Sequence, residues 1–472
     1  MSRMKLCGVF SLLAASVLAP GCVPADAGYQ DVRSSASARI HKDVRWGAHD
    51  STNMSKETQA LLSRPLNADS AVQIALLNNQ SVQAAFEELG IARARLVDAV
   101  AIPNPSVDAA LRFKRSTRPN IDLQATLSLS ELLFLPWRNA AAGAQLDAAK
   151  ASVAGRIVDL AFDVRVAFYE YQAAAQSFEL RKTILKAASA SFDSAQGLHD
   201  AGNITDLNLE NERSLFEESR VASARAEAML SAQREHLTAL MGLWGGGGNW
   251  AAQARLADPA PLPAWLNDLE GRALSRSLDL QMLRQRVEAA AKRANLSRLR
   301  GWIPELRGGV SAERDQEGWG IGPAASLELP LFYQGQGETG VALAEMRRDR
   351  KMYGQTAVQI RAAARTAAVG LKAAADSADY YKRVLLPLRQ RIVNDTQLEY
   401  NAMSVGVFQL LQAKRDQIET ARAYVDLLRD YWKLRAEVDQ LEAGRLPRIG
   451  LDSRQAGEGN GGPAAATGAA AH

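Results

Sequence analysis

Residues 121–133 read IDLQATLSLSELL, and their first ten positions alternate between apolar and polar side chains. The apolar members are Ile121, Leu123, Ala125, Leu127 and Leu129. Successive side chains of a β-strand point to opposite faces, so a period of two indicates a strand. This stretch therefore predicts a strand over residues 121–133 with one wholly apolar face and one wholly polar face.

Three more stretches, residues 107–115, 306–314 and 319–332, show the same alternation and are also predicted to be strands. A tilted strand crosses a bilayer with roughly nine to eleven residues. An isolated hairpin of this kind is more often soluble. Here the flanking sequence is predicted to form long helices that pack against one another, so the hairpins have no apolar surface to lie against. We therefore expect their apolar faces to contact lipid and their polar faces to line an aqueous lumen. The predicted lumen residues are Arg112, Lys114, Asp122, Gln124, Thr126, Ser128, Arg307 and Glu313.

Four strands are too few to close a membrane barrel, because bacterial barrels made from one chain have at least about eight. An open sheet edge in lipid would leave backbone N–H and C=O groups without hydrogen-bond partners. We therefore expect several copies of the chain to share one barrel.

Very long helices are expected over residues 137–199 and about 336–403. The first would be roughly 90 Å long at 1.5 Å per residue. In the second, apolar residues recur at strict steps of four and three, which predicts a coiled-coil seam. The seam residues are Ile360, Ala364, Ala367, Leu371, Ala374, Ala378, Tyr381, Leu385, Leu388 and Ile392. Pro387 lies within this seam, lacks a backbone N–H and is expected to kink the helix.

The same order of predicted elements occurs twice in the sequence: a helix, two strands, a very long helix, a turn with glycine and a returning helix. Such a repeat predicts two interleaved halves of one body. Returning helices are expected over 207–241 and 410–441, and covering helices over 68–100 and 266–300. The full division is a signal peptide over 1–21, a linker or belt over 22–65, a first repeat over 66–243 with its tip near 202–207, a second linker or belt over 244–263, a second repeat over 264–443 with its tip near 405–411, and a disordered tail over 444–472.

The N-terminus carries export signals. Arg3 and Lys5 precede an apolar stretch, residues 6–18, that is too short to span a bilayer, as in a secretory signal peptide. Two processing sites compete: a lipoprotein-like box that ends at Cys22, and an ordinary site after residues 25–27. Use of the box would make the chain a lipoprotein with Cys22 as its acylated, palmitate-bearing first residue.

The composition argues against several classes of function. The net charge of +4 is small against 56 basic and 52 acidic residues, so no nucleic-acid partner is indicated. The five histidines lack metal-ligand spacing, and the glycine run 245–248 lacks the lysine and hydroxyl of a phosphate loop. We therefore expect no enzyme activity, no cofactor and no metal site. A periplasmic coiled-coil adaptor or scaffold stays open as the alternative, since it would share the helices.

Several short motifs, each weak alone, occur in an order that is specific. They are NADSAVQIAL at 67–76 followed by Asn78-Asn79, GIARA at 90–94, PNP at 103–105, the turn at Gly202, LPLF at 329–332 and the turn at Gly406. On these residues the chain resembles the TolC-like outer-membrane efflux factor family over about residues 66–441.

The resemblance implies a mainly α fold with transmembrane β-strands. Three chains would give one outer-membrane barrel of twelve strands above a periplasmic tunnel of long coiled-coil helical hairpins. It also implies a passive outer-membrane channel of a tripartite efflux system, with a periplasmic adaptor and an inner-membrane pump as partners and outer-membrane lipid around the barrel.

Site residues follow from the same resemblance. The residues implied to form the adaptor-contacting tip are Gly202, Ile204, Thr205, Asp206, Gly406, Val407 and Phe408. Asp206 is also implied to line the pore aperture, where a carboxylate would favour cations. The exported substrate stays open between metal ions, drugs and other small molecules.

Overall fold

The computed structural model describes residues 28–45, 56–113, 119–244, 250–253, 255–314 and 318–447, most of them helical. The helices are α1 (Tyr29–Ile40), α2 (Lys56–Leu62), α3 (Ala68–Asn78), α4 (Gln80–Val100), α5 (Leu129–Asp200), α6 (Asp206–Leu240), α7 (Leu269–Arg276), α8 (Leu278–Trp302), α9 (Gln336–Tyr380), α10 (Leu386–Asn401) and α11 (Val407–Glu442). A 3-10 turn (Ala264–Asp268) precedes α7, and a π-turn (Tyr381–Leu385) joins α9 to α10.

The strands are β1 (Ser106–Arg112), β2 (Asn120–Ser128), β3 (Glu305–Arg314) and β4 (Trp319–Glu328). They form one antiparallel sheet in the order β1-β2-β3-β4. No helix in the described ranges is long and apolar enough to cross a membrane. The predicted signal peptide, Cys22 and Lys114 lie outside the described residues.

The predicted strand over 121–133 is too long. β2 ends at Ser128, and α5 begins at Leu129 instead of residue 137. The stretch after Ser128 fits a helical period as well as a strand period: Leu129 and Leu133 are exposed, whereas Phe134 is buried. Short apolar runs are ambiguous in this way, because both periods place apolar residues on one face.

The predicted strand over 319–332 is also too long, since β4 ends at Glu328. Pro330 follows two residues later, and a proline has no N–H to donate to a sheet ladder. Residues 329–335 are neither strand nor helix, in contrast to the helical stretch that follows β2.

The expected covering helices are each interrupted once. α3 and α4 are separated by Asn79, whose side chain accepts a hydrogen bond from the Ser81 backbone N–H at 2.8 Å. α7 and α8 are separated by Ser277, whose hydroxyl accepts from the Leu280 backbone N–H at 3.1 Å. Both residues thus provide a polar side chain that satisfies a free N–H group at a new helix start.

The described chain divides into two compact units. One unit holds the sheet and its adjoining helical segments, the described parts of Ala85–Val153 and Met282–Met352, with residues 28–32. The other holds the described parts of Arg33–Ala84 and Ala154–Gln281, with residues 353–447. Each unit takes segments from both halves of the sequence. The division into repeats over 66–243 and 264–443 stays a prediction.

The predicted seam of α9 lies in the core of the second unit. Its residues pack against apolar side chains of α7 and α11. The buried members of this cluster are Leu266, Leu269, Ala273, Leu280, Ile360, Ala364, Ala367, Leu371, Tyr431, Val438 and Leu441. The seam prediction is wrong after the π-turn, where Ile392 is 38% exposed and Val393 is only 1% exposed. A π-turn contains one more residue than a regular helical turn, so the buried face moves by one position.

Arg445, just past the end of α11, is buried and pairs with two carboxylates. Its guanidinium forms ion pairs with Asp159 of α5 and Asp279 of α8, and its Nε donates to Asp159 Oδ1 at 2.9 Å. Gln440 also donates to Asp159, at 3.1 Å. The predicted disordered tail, 444–472, therefore begins with residues that are fixed in the second unit, while residues 448–472 lie outside the described ranges.

Replacing Arg445 with methionine should strongly destabilise the fold. The change takes the Arg445 guanidinium away from the buried Asp159 and the half-buried Asp279, which costs about 3–5 kcal/mol of unfolding free energy. Denaturant unfolding of the detergent-extracted protein, followed by circular dichroism, measures this loss.

The matched control is Arg220→Met, because Arg220 and Glu217 form an exposed pair at 3.7 Å and should contribute less than about 1 kcal/mol. Adding Asp159→Asn and Asp279→Asn to Arg445→Met should recover part of the stability. Equal effects of the Arg445 and Arg220 variants would contradict the structural role of the buried cluster.

Candidate functional site

The polar face of the sheet collects the predicted lumen residues that the structure describes. The register places Asp122 beside Glu313, and Ser128 beside Arg307. Paired residues in antiparallel strands share a face, and alternation carries this face along each strand. Arg112 reaches diagonally to Asp122, with its Nη2 at 2.6 Å from Oδ2. Arg112, Asp122, Gln124, Thr126, Ser128, Arg307 and Glu313 thus lie on one face.

The opposite face of the sheet is apolar and exposed in the single chain. Val107 is 73% exposed and Ile321 is 75% exposed, and Leu123 and Val310 are also exposed. Arg314 is the charged exception, and its guanidinium lies 5.9 Å from the ring centroid of Trp319. A sheet with one polar face and one exposed apolar face separates water from a nonpolar environment.

The turn between α5 and α6 follows a known geometry for a helix end. Gly202 has a positive φ of 74°, its N–H donates to the His199 carbonyl at 2.7 Å, and Asn203 N–H donates to Leu198 O at 2.8 Å. These two bonds are typical of a helix that ends in a left-handed residue. Thr205 then accepts from the Asn208 N–H and starts α6.

The turn between α10 and α11 repeats this geometry with different residues. Met403 takes the left-handed position at φ 60°, and its N–H donates to the Tyr400 carbonyl at 2.9 Å. Gly406 is the N-cap of α11, and its N–H donates to Gln409 Oε1 at 3.0 Å. Gly406 therefore corresponds to Thr205, and Met403 to Gly202, so the two predicted glycine turns use glycine at different positions.

The exposed apolar residues of the two turns differ from those expected. Ile204, Val407 and Phe408 are half-buried. Phe408 lines a cleft with Ala187, Leu215 and other residues of the two hairpins. The strongly exposed apolar side chains are Leu207, 69% exposed, and Met403, 93% exposed. Sequence reasoning missed Met403, which an alignment of the two turns at an offset of 201 residues would have paired with Gly202.

His199 and Asp206 connect the two ends of the first turn. His199 Nε2 lies 2.7 Å from Asp206 Oδ1, and Asp200 is 3.7 Å from His199 Nδ1. The hydrogen bond with Asp206 raises the pKa of His199 above its usual value of 6.5. Asp206 itself is almost fully exposed, as the predicted aperture role requires, and that role stays a prediction. In the described residues no cluster of three or more acidic, histidine or cysteine side chains could hold a metal ion.

The sequence of this chain is similar to sequences of known proteins. The model of the family described as outer membrane efflux protein matches residues 71–243, which include β1, β2 and the whole first hairpin, α5 and α6. The cobalt-zinc-cadmium resistance protein CzcC of Cupriavidus metallidurans is 23% identical over 386 residues, which cover 80% of this chain and 90% of CzcC. Residues 71–243 of this chain thus resemble the outer membrane efflux protein family.

Solved structures of three membrane proteins share the fold. The Campylobacter jejuni CmeC outer membrane channel matches with a TM-score of 0.69 and 14% identity, over 88% of this chain and 93% of CmeC. CusC matches with a TM-score of 0.64 and 17% identity, over 86% of this chain and 99% of CusC. A membrane protein from Pseudomonas aeruginosa matches with a TM-score of 0.67 and 17% identity, over 85% and 96%. The mainly α fold with four strands is therefore shared with these three proteins.

The contact at the first turn should respond to pH. Because the folded pKa of His199 is raised, the contact is fully present below the unfolded pKa and is lost as pH rises through the folded value. Asp206→Asn should lower the pKa of His199 toward about 6.5. NMR titration of histidine-labelled protein in detergent measures this value. Asp200→Asn is the control and should lower it less, since Asp200 lies farther away; an unchanged pKa in Asp206→Asn would contradict the contact.

Proposed function

We propose that this chain is the outer-membrane channel of a tripartite efflux system, with its helical hairpins in the periplasm. It would conduct small solutes passively, without making or breaking a bond, and the energy would come from an inner-membrane pump. The observation that carries the proposal is a sheet with one polar and one exposed apolar face, joined to very long helical hairpins. The match of residues 71–243 to the outer membrane efflux protein family supports the same function.

A homotrimer would complete the sheet. In the order β1-β2-β3-β4, β1 and β4 each have one edge without a strand partner among the described residues. Lipid offers no hydrogen bonds to such edges, so β1 of one copy would pair with β4 of the next until the ring closes. Three copies give twelve strands, within the range of known barrels. The apolar face would then meet outer-membrane lipid.

The two helix-to-helix turns would form the surface that meets a periplasmic adaptor. Leu207 and Met403 expose apolar area at different positions of the two turns, one on each hairpin, and exposed apolar residues at a loop commonly mark a contact with another protein. Thr205, Asp206, Gly202 and Gly406 would set the backbone shape of these turns. The backbone of the turns would be held in place by three half-buried side chains, those of Ile204, Val407 and Phe408. An acylated Cys22 would add a lipid anchor to the outer membrane.

Divalent metal cations are the cargo class that the polar face favours. Its described acidic residues are Asp108, Asp122, Glu305, Glu313 and Glu328, and its described basic residues are Arg112 and Arg307. A ring of excess carboxylates in a channel lumen favours cations over anions. The relative CzcC is described as a cobalt-zinc-cadmium resistance protein, which supports the same class.

Deleting the gene should make the host more sensitive to cobalt, zinc and cadmium, with little change for antibiotics. Growth inhibition across a concentration series measures both groups. The wild-type gene should restore resistance, whereas a triple variant, Asp122→Asn with Glu313→Gln and Glu328→Gln, should restore it only in part, because the lumen loses its excess negative charge.

The matched control is Gln124→Ala with Ser326→Ala, which changes the same polar face without changing its charge. Increased sensitivity only to antibiotics would replace metal cations with drugs as the cargo. Unchanged sensitivity to every compound, with the protein expressed, would reject the efflux function.

Leu207→Asp together with Met403→Asp should abolish efflux while leaving the trimer intact, because both residues are exposed and contribute little to the fold. Detergent extraction and cross-linking measure assembly, and the resistance assay measures efflux. The control is Asn203→Asp with Ser404→Asp, which adds the same two charges to the same turns and keeps the apolar side chains. Full efflux in the Leu207 and Met403 variant would remove the turns from adaptor contact.

A further inference from the structure

The two hairpins of the sheet share one strand register. In the first hairpin Asp108 pairs with Gln124, and in the second Gly309 pairs with Ala324. Residues of β3 are thus numbered 201 above their counterparts in β1, and residues of β4 are numbered 200 above their counterparts in β2. The same two offsets convert all seven pairs of the first hairpin into pairs of the second. β1 is therefore equivalent to β3, and β2 is equivalent to β4.

The pairing of β2 with β3 is a template for the two edges of the sheet. If β4 of one copy meets β1 of the next copy, two strands equivalent to β2 and β3 lie side by side again. Thr126 pairs with Gly309 in the template, so Ser326 should pair with Asp108 of the next copy. The full set across the copies is Glu328 with Ser106, Leu327 with Val107, Ser326 with Asp108, Ala325 with Ala109, Ala324 with Ala110, Pro323 with Leu111 and Gly322 with Arg112. Of these residues only Pro323 lacks an N–H, which removes at most one hydrogen bond from the ladder.

The side chains of the two edge strands agree with this register. Asp108 and Ser326 both lie on the polar face, and Val107 and Leu327 both lie on the apolar face. A displacement by one residue would place the polar side chains of one copy beside the apolar side chains of the next. A displacement by two residues in one direction would place Asp108 beside Glu328, and like charges directly opposite each other destabilise a sheet.

Next to the β2–β3 pairing, an ion pair joins the adjoining helices. Arg300 of α8 donates to both carboxylate oxygens of Glu131 of α5, at 2.9 and 3.0 Å. The same offsets place Leu331 and Ala99 at the equivalent level of the two edges. Neither side chain carries a charge, so the copies need a different contact at this level.

Exposed apolar side chains are present on both edges at this level. Phe332, after β4, is 94% exposed, and Ile102, before β1, is 62% exposed. The segment that carries Phe332 is fixed to α8, because the Ser297 hydroxyl donates to the Gly335 carbonyl at 3.1 Å. Two exposed apolar side chains that are brought together remove each other from water, which stabilises the contact.

We propose that copies of this chain join by repeating the β2–β3 register, with Ser326 of one copy beside Asp108 of the next. Phe332 and Ile102 then form an apolar contact where the ion pair of Arg300 lies within one chain. This pairing rests on the proposed channel function, whose shared barrel brings β4 and β1 of neighbouring copies together. It adds the residues that meet between the copies.

Cysteine cross-linking of the detergent-extracted protein tests the register. Asp108→Cys with Ser326→Cys, and Ala110→Cys with Ala324→Cys, bring two thiols within reach of a disulfide, because directly opposed residues of antiparallel strands have Cα atoms about 4.5–5.5 Å apart. Mild oxidation should convert more than about half of the chains to covalent dimers and trimers on a denaturing gel. Within one chain β2 and β3 separate β1 from β4, so the disulfide must join two copies.

The matched controls exchange the partners of the same four positions. Asp108→Cys with Ala324→Cys, and Ala110→Cys with Ser326→Cys, are displaced by two residues in opposite directions. Their Cα atoms would be about 7–8 Å apart, too far for a disulfide without backbone movement, so cross-linking should be at least about fivefold lower. The single variants measure any contribution of Cys22. Predominant cross-linking of a control pair, or trimers without a cross-link in any variant, would overturn the register.

Ile102→Asp with Phe332→Asp tests the apolar contact. The trimer fraction on native electrophoresis should fall at least about tenfold, because two carboxylates would be buried between the copies. Wild-type trimers should persist at about 1 M salt, which screens surface ion pairs. The control is Asn104→Asp with Gln334→Asp, which adds the same two charges to the same segments at exposed positions. Unchanged trimers in the Ile102 and Phe332 variant, or dissociation of the wild type in salt, would overturn the apolar contact and leave lipid to cover these side chains.

The register and the channel function can fail separately. Trimers that cross-link only in a control pair overturn the register and leave the channel function standing. Recovery of a folded monomer, with no cross-link in any variant, rejects the shared barrel. A deletion strain with unchanged sensitivity to every compound rejects the efflux function, while the cross-links still report the register.

Discussion

The register between β2 and β3 is the constraint on which the rest of the structure depends. It joins the two halves of the sequence in one sheet, and it aligns Asp122 with Glu313 on the polar face. A slip of one residue would send every polar side chain of one strand to the apolar face. Gly309 helps to fix the register, because a side chain there would collide with the Ala125 carbonyl oxygen. This register gives both hairpins the same polar and apolar sides.

Much of this fold could be predicted from periodicity, and the limits of that reasoning are physical. Periodicity correctly predicts the alternation in β2 and β3 and the seam from Ile360 to Ala378, because burial on one face repeats over many residues. It does not predict the ends of the strands, because the few apolar residues after Ser128 fit a helical period and a strand period equally well. The predicted seam is wrong beyond Pro387, because the π-turn moves the buried face of the helix by one residue and has no sequence pattern of its own. Proline indicated a kink but not the extra residue that accompanies it.

The helix-to-helix turns show why a glycine is an ambiguous signal. Gly202 ends a helix in the left-handed region, whereas Gly406 begins one with φ −81°, where any residue fits. Matching glycine with glycine therefore shifted the two turns by three residues, and it assigned Phe408 to the exposed surface instead of Met403. Hydrogen bonds, not residue types, are what the two turns share. Their geometry is the same, while their surfaces differ in charge and apolar area.

Two ion-pair clusters in the second unit contribute unequally to the stability of the fold, because one is buried and the other is exposed. Arg445 and Asp159 are buried and Asp279 is half-buried beside them, so loss of the guanidinium would remove a counter-charge from carboxylates that water solvates poorly. Asp258 and Lys382 are half in water, where either group is well solvated alone. The first cluster can only hold its helices together. The second can separate at small cost, because water replaces each partner.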